Sequence, residues 1–441
     1  LRRAAGLLIV GVSMKTWRIA FVGVALAAMV SSLQAATWAG FRGDSGSGIS
    51  PEKNLPVKWS DTSGVKWKAT LGGRGNSSPV VTTKRVYLTT QTKDLALWVI
   101  ALDKASGKEA WRRKVASGAL AARGPKNLYA NRHNPATSTP VADEKHVWAF
   151  FGTGDLVCLD DAGKQIWARN LAEEFGAYDI TFGMGSSPRL WKGRLFIACM
   201  TKGSSYVAAL NPANGKVLWK KNRRLPALKD GPDAYSTPVI WQGRTGDELL
   251  VAGSDHINAY HPANGEQLWV SGGFSIKSPY GRIIASPAVS PGVIIQCSAN
   301  PGDGGLGRAI ALRAGQRGNI TTSARLWALE RTTPDSSTPV ILDGRAYLVR
   351  GNGITLCLGI NDGRKLWTER LAQGQYFSAA VAGDGKVYIL NTAGTCTVLQ
   401  SGAKFTKLAE NKLPGAFYST PAISYGTIFL RSEDTVYAVG K

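Results

Sequence analysis

The sequence predicts an all-β protein, an eight-bladed β-propeller of four-stranded antiparallel blades closed by an N-terminal strand. Three observations predict it. A Ser/Thr-Pro step opening an apolar strand recurs along the chain, a glycine is followed four residues later by a tryptophan in most of the same units, and 51 glycines and 14 tryptophans accompany little helical periodicity. With 441 residues, 44% of them hydrophobic, the chain is long enough to fill a large core.

Residues 1–36 read as upstream sequence followed by a secretory signal peptide. Lys15 and Arg18 precede an apolar run from Ile19 to Val30, then Ser31, Ser32 and small residues through Ala36, with Met14 as the expected start. The apolar run is short for a membrane span, and no cysteine lies near the cleavage region to carry a lipid. The expected mature protein is therefore periplasmic or secreted, with no stable membrane span. Residues 37–64 form a leader, and residues 65–441 the propeller.

The strand openings are Ser78-Pro79, Thr139-Pro140, Ser187-Pro188, Thr237-Pro238, Ser286-Pro287, Thr338-Pro339 and Thr420-Pro421, with a degenerate Ser378-Ala379-Ala380 before the last. Each leads into an apolar strand and then a second one, such as Arg85-Val86-Tyr87-Leu88 or Lys386-Val387-Tyr388-Ile389. A third strand ends in ALDKASGKEAW, recurring as CLDDAGKQIW, ALNPANGKVLW, AYHPANGEQLW and CLGINDGRKLW. The glycine permits the positive φ of a hairpin turn, and the fourth strand then carries the tryptophan.

A lone four-stranded sheet cannot bury both faces, so Trp111, Trp167, Trp219, Trp269, Trp327 and Trp367 are expected to project against neighbouring blades. A weak segment over 402–408 stands in for the seventh fourth strand. The last unit stops after three strands, whereas Val65-Lys66-Trp67-Lys68-Ala69 is an orphan fourth strand at the other end, so Trp67 should close the ring.

No Trp-Asp dipeptide occurs, which sets other propeller repeats aside. The repeat Ala-x-Asp-x-x-x-Gly-x-x-x-Trp resembles the tryptophan-docking motif of the pyrroloquinoline-quinone-like (PQQ-like) propellers over nearly the whole mature chain, and WAGFRGDSGSGIS at 38–50 resembles the leader of many secreted members. The resemblance implies one of two roles, since the family holds both quinoprotein dehydrogenases and noncatalytic members of the BamB type. For a dehydrogenase it would imply PQQ on the propeller axis, calcium held by carboxylates and an amide, an aspartate base, and often an adjacent cysteine pair.

The five cysteines include no adjacent pair. Cys158, Cys357 and Cys396 fall where other repeats carry Ala101, Ala209 and Ala259, so they are expected to be buried thiols in separate blades, too far apart to bridge. The four histidines show no zinc spacing, and the GDGGLG run ending at Gly307 lacks the Lys-Ser or Lys-Thr of a phosphate loop.

Loops entering the first strands should rim the central channel. They contain few acids, namely Asp179, Asp233 and Asp335, and instead carry Arg74, Asn76, Arg132, His133, Asn134, Tyr235, Arg282, Tyr376 and Tyr418. Such a mouth suits an anionic or extended ligand and offers little to a divalent cation. No catalytic or metal-binding residue is expected. Glycine-rich basic insertions at 115–137, 170–185, 223–234 and 297–325 are further places for specificity.

The formal net charge is +23, and +19 without the signal region, because that region carries four basic residues and no acids. This favours anionic cell-surface polymers, although the basic residues are also scattered as solubilising charge would be. The expectation is a monomeric binding or assembly scaffold of the cell envelope, with envelope proteins or anionic polymers as partners and no nucleic acid. A PQQ- and calcium-dependent alcohol or sugar dehydrogenase and a carbohydrate-binding module are the alternatives.

Overall fold

Eight antiparallel sheets follow one another along the chain in a computed structural model that describes residues 37–125, 130, 132–300 and 306–440. The expected signal peptide and most of the GDGGLG run lie outside the described residues, as do parts of the 115–137 and 297–325 insertions. Blade 1 is built from Val80–Val81, Arg85–Gln91, Ala96–Asp103 and Glu109–Ser117, and blades 2 to 7 repeat that order. The first strands lie innermost, where those of neighbouring blades contact one another.

Blade 8 takes its first three strands, Ala422–Ser424, Thr427–Arg431 and Thr435–Val439, from the end of the chain. Its fourth is β2 (Val65–Thr70), which pairs antiparallel with Thr435–Val439 and sets Trp67 opposite Ala438. The ring is thus closed as its sequence pattern predicts.

Tryptophan docking joins the blades. The Trp67, Trp111, Trp167, Trp219 and Trp327 rings lie against the turn glycines Gly107, Gly163, Gly215, Gly265 and Gly363 of the following blade, so close that an added Cβ would collide. These glycines adopt φ between 67° and 79°, so both their conformation and the ring above exclude a side chain. Each indole also donates to a backbone carbonyl beyond the gap, for example Trp67 Nε1 to Lys104 O at 2.9 Å and Trp219 Nε1 to Pro262 O at 3.0 Å.

Trp269 departs from this pattern. Blade 5 replaces the short turn with an excursion whose Gly318–Asn319 segment pairs with the fourth strand of blade 4, Gln267–Ser271. Trp269 instead donates to Glu248 Oε2 within its own blade at 2.7 Å, and Trp241 makes the inter-blade bond, to Ser290 O at 2.9 Å. The fourth strand of blade 7 is Lys407–Lys412, later than the expected 402–408, with Ala409 at the tryptophan position.

All five cysteines are buried free thiols. Cys158 and Cys357 stand opposite Trp167 and Trp367, as Ala101 does opposite Trp111. Cys396 does not occupy the equivalent position: it pairs with Asn411, and Val398 faces Ala409. Counting back from Gly402 misplaces it because the turn of blade 7 is longer. The described helix is the single turn Leu171–Phe175, capped by Asn170, and no described helix is long and apolar enough to cross a membrane.

Candidate functional site

The Ser/Thr-Pro openings account for the inner wall of the channel. Ser78 N–H donates to Thr139 Oγ1 of blade 2, Thr139 N–H to Ser187 Oγ of blade 3, and Ser187 N–H to Thr237 Oγ1 of blade 4, at 2.8 to 3.1 Å. Thr237, Ser286, Ala379 and Thr420 continue the series to Ser286, Thr338, Thr420 and Ser78. Each hydroxyl accepts the amide of the blade before it, and the chain of bonds runs round the axis. One link is missing. Ala379 of blade 7 stands where the others have serine or threonine, so the Thr338 amide meets no hydroxyl there.

The leader closes one end of the channel. Ala39, Ser45 and Gly48 carbonyls accept amides of Ala142, Ile240 and Ala382 from blades 2, 4 and 7, and β1 (Ile49–Ser50) adds parallel to the first strand of blade 7. The buried Arg189 guanidinium of blade 3 gathers the leader's Phe41, Gly43 and Asp44 carbonyls, and leader Arg42 donates to Pro339 O of blade 6 at 2.8 Å. Burial, and second Arg189, lower the Arg42 pKa to about 9.

What remains is a cup of about 230 Å³ on the axis. Phe41 belongs to its lining together with Ser78, Thr139, Ser187, Thr237, Ser286, Thr338 and Thr420 of the hydroxyl ring, and the loops that enter the first strands supply Asn76, Arg132, His133, Tyr235, Arg282, Asp335 and Tyr418.

Other expected mouth residues lie elsewhere. Arg74 and Asn134 border an adjacent groove, where Arg74 pairs with Glu433 at 2.5 Å and Asn134 Nδ2 donates to Arg74 O. Tyr376 is buried in the core between blades 6 and 7, its hydroxyl on Ala372 O at 2.7 Å. Asp179 and Asp233 are held by Arg123, and Asp233 also accepts from Thr181, so neither lines the cup. Conversely, sequence reasoning missed Phe377, Ser336 and Phe182. Phe377 and Ser336 occupy the same repeat position as Asn76, Tyr235 and Tyr418, two residues before the ring position, and that register was the signal available for them. Phe182 comes from an insertion and has no such signature.

The rim combines cations with aromatic rings. Phe377 and Tyr418 lie nearly parallel, 6.1 Å apart and 16° between planes, with Arg132 over Phe377 at 5.2 Å. Across the cup, Arg282 lies 4.7 Å over Phe182, and the Tyr235 hydroxyl accepts the Phe182 amide. Burial pushes the Asp335 carboxyl above its ordinary range, although Arg282 and then Arg132 pull it down. Asp335 Oδ1, Ser336 Oγ and Ser337 Oγ are buried with no hydrogen-bond partner. Burial also lowers the His133 pKa to about 4, keeping the ring neutral at pH 7, with Nδ1 2.9 Å from Thr137 Oγ1.

This donor set does not fit a bound calcium ion. Calcium takes about six to eight oxygens, several of them from carboxylates. The cup offers one carboxylate, flanked by two guanidiniums, and among the described residues no three His, Cys, Asp or Glu side chains group as metal ligands.

Residues 32–198 and 185–401 match a family model described as outer membrane protein assembly factor BamB. The fold is similar to that of BamB from Moraxella catarrhalis, with TM-score 0.60 and 12% identity over 86% of this chain and 97% of that one. It is also similar to a europium-containing methanol dehydrogenase, with TM-score 0.66 and 12% identity over 90% of both chains. A third likeness is to the quinohemoprotein alcohol dehydrogenase of Comamonas testosteroni, with TM-score 0.63 and 12% identity over 92% of this chain and 80% of that one. At these identities the likeness is one of fold. A search of curated proteins gives no match.

Proposed function

The chain belongs to the PQQ-like β-propeller family of outer membrane protein assembly factor BamB, and from that premise we propose that it is an exported, noncatalytic binding propeller of the cell envelope. The observation that carries this reading is the chemistry of the axial cup, where Arg132 and Arg282 face a single carboxylate, Asp335, among aromatic rings and hydroxyls. Such a set recognises an anionic ligand by charge-assisted hydrogen bonds and does not assemble an oxygen cage for a cation. The cup sits on a rigid ring, which holds its loops in place without spending ligand affinity on ordering them. The high positive charge of the chain supports anionic partners, and the family match supports a scaffold role in the envelope.

A second reading, a quinone-dependent alcohol or sugar oxidoreductase, has one observation in its favour. Asp335 is a desolvated carboxyl in a cleft, the setting in which a general base is tuned. Dye-linked oxidation of primary alcohols and aldoses by the purified mature protein, supplied with PQQ and calcium, separates the two. The proposal expects no rate above the quinone-free control, and saturable turnover overturns it.

A further inference from the structure

The cup's polar groups specify more than a negative charge. Each of the seven ring hydroxyls uses a lone pair on an amide of the neighbouring blade and keeps its O–H proton to donate, and all seven line the cup. In the blade 6 sector of the cup, Asp335 Oδ1 and the Ser336 hydroxyl are buried and unpartnered, beside the Thr338 amide that Ala379 leaves without a hydroxyl. Buried polar groups left this way are expensive unless something completes them. The completing group must both donate, to Asp335, and accept, from the hydroxyls and the amide.

The apolar surface adds a second requirement. The nearly parallel, offset Phe377 and Tyr418 rings present aromatic surface at the rim of blades 7 and 8, next to the underbonded sector. A simple inorganic oxyanion has no face to lay on it. A simple aromatic acid such as benzoate has a face but only acceptors, and it would leave Asp335 unpaired. A sugar ring supplies hydroxyls that donate and accept together with a C–H face for stacking, and a carboxylate on that ring meets Arg132 and Arg282. The volume, about 230 Å³, is below the usual range for drug-sized ligands and suits one monosaccharide unit.

We infer that the axial cup binds an acidic sugar residue, a hexuronate, presented singly or at the end of an anionic glycan. The inference rests on the reading of the cup as a noncatalytic binding site. Isothermal titration with D-galacturonate and D-glucuronate, and with D-galactose and benzoate as the neutral and aromatic counterparts, tests it on the mature protein. Saturable one-to-one binding of at least one uronate is expected, ten-fold or more tighter than galactose or benzoate. Replacing Arg132 by Ala or Asp335 by Asn should each weaken it ten-fold or more without lowering the ligand-free melting temperature. Equal binding of uronate and galactose, tighter binding of benzoate, or no uronate binding at all overturns the sugar assignment while leaving the noncatalytic reading intact. Calcium-dependent PQQ binding with turnover overturns both.

Discussion

Replacing Trp67 by Ala tests whether the strand from the chain's beginning holds the ring as firmly as the interior junctions do. Trp67 is 9% exposed, stands 5.9 Å from Phe429, covers the Gly107 turn of blade 1 and donates to Lys104 O. Trp219 provides the internal standard: 8% exposed, 6.0 Å from Phe196, over Gly265 and bonded to Pro262 O. A buried Trp→Ala change costs about 3–5 kcal/mol in lost transfer energy and cavity. Because the two rings meet the same surroundings, W67A and W219A should lower stability by equal amounts, to within about 1 kcal/mol. Urea unfolding followed by circular dichroism reads the change as a shift in midpoint at constant slope. Hydrogen exchange in Thr435–Val439 reports whether blade 8 opens first. A W67A variant that loses less than about 1 kcal/mol while W219A loses about 3–5 would refute closure by β2 as a junction of equal strength.

Two further outcomes follow from the inner wall. Ala379→Ser supplies the eighth hydroxyl to the Thr338 amide and should stabilise the protein by about 0.5–1.5 kcal/mol, the net value of one hydrogen bond, measured by the same unfolding curves; an unchanged or lower midpoint counts against the ring as a clasp. His133, with its pKa lowered from 6.5 to about 4, gives full stability above pH 6.5 and loses up to about 3 kcal/mol as the pH falls towards 4. Melting temperature against pH should show this decline in the wild type and a shallower one in His133→Gln, and parallel curves would contradict the assignment.

The blades were legible because a propeller repeats one local solution. A turn glycine and a tryptophan four residues on form a local pattern, and the neighbour that the tryptophan covers is the next copy of the same pattern. The Ser/Thr of each opening was visible as a marker, but its purpose lies in a bond to a residue about 50 positions away, which becomes apparent only when the blades are side by side. The leader is the larger gap. Arg189 and Phe41 are 148 residues apart, and Arg42 and Pro339 are 297 apart, so no periodicity announces that 38–50 closes one end of the channel. Cys396 was misplaced because it lies where a longer turn replaces the short one and shifts the register, whereas Trp269 holds its expected place opposite Ala259 and lacks only a short glycine turn of the next blade to dock on. At the mouth, residue type alone could not separate Tyr418, which lines the cup, from Tyr376, whose ring is buried one blade away.

The central claim, that the axial cup is a binding site for an anion and not a quinone centre, is tested most directly by equilibrium titration of the mature protein with PQQ in the presence and absence of calcium, on the wild type and Asp335→Asn. The account predicts no stoichiometric binding that depends on calcium, and no difference between the two proteins in that dependence. Tight one-to-one PQQ binding that requires calcium and is lost with Asp335 would contradict it.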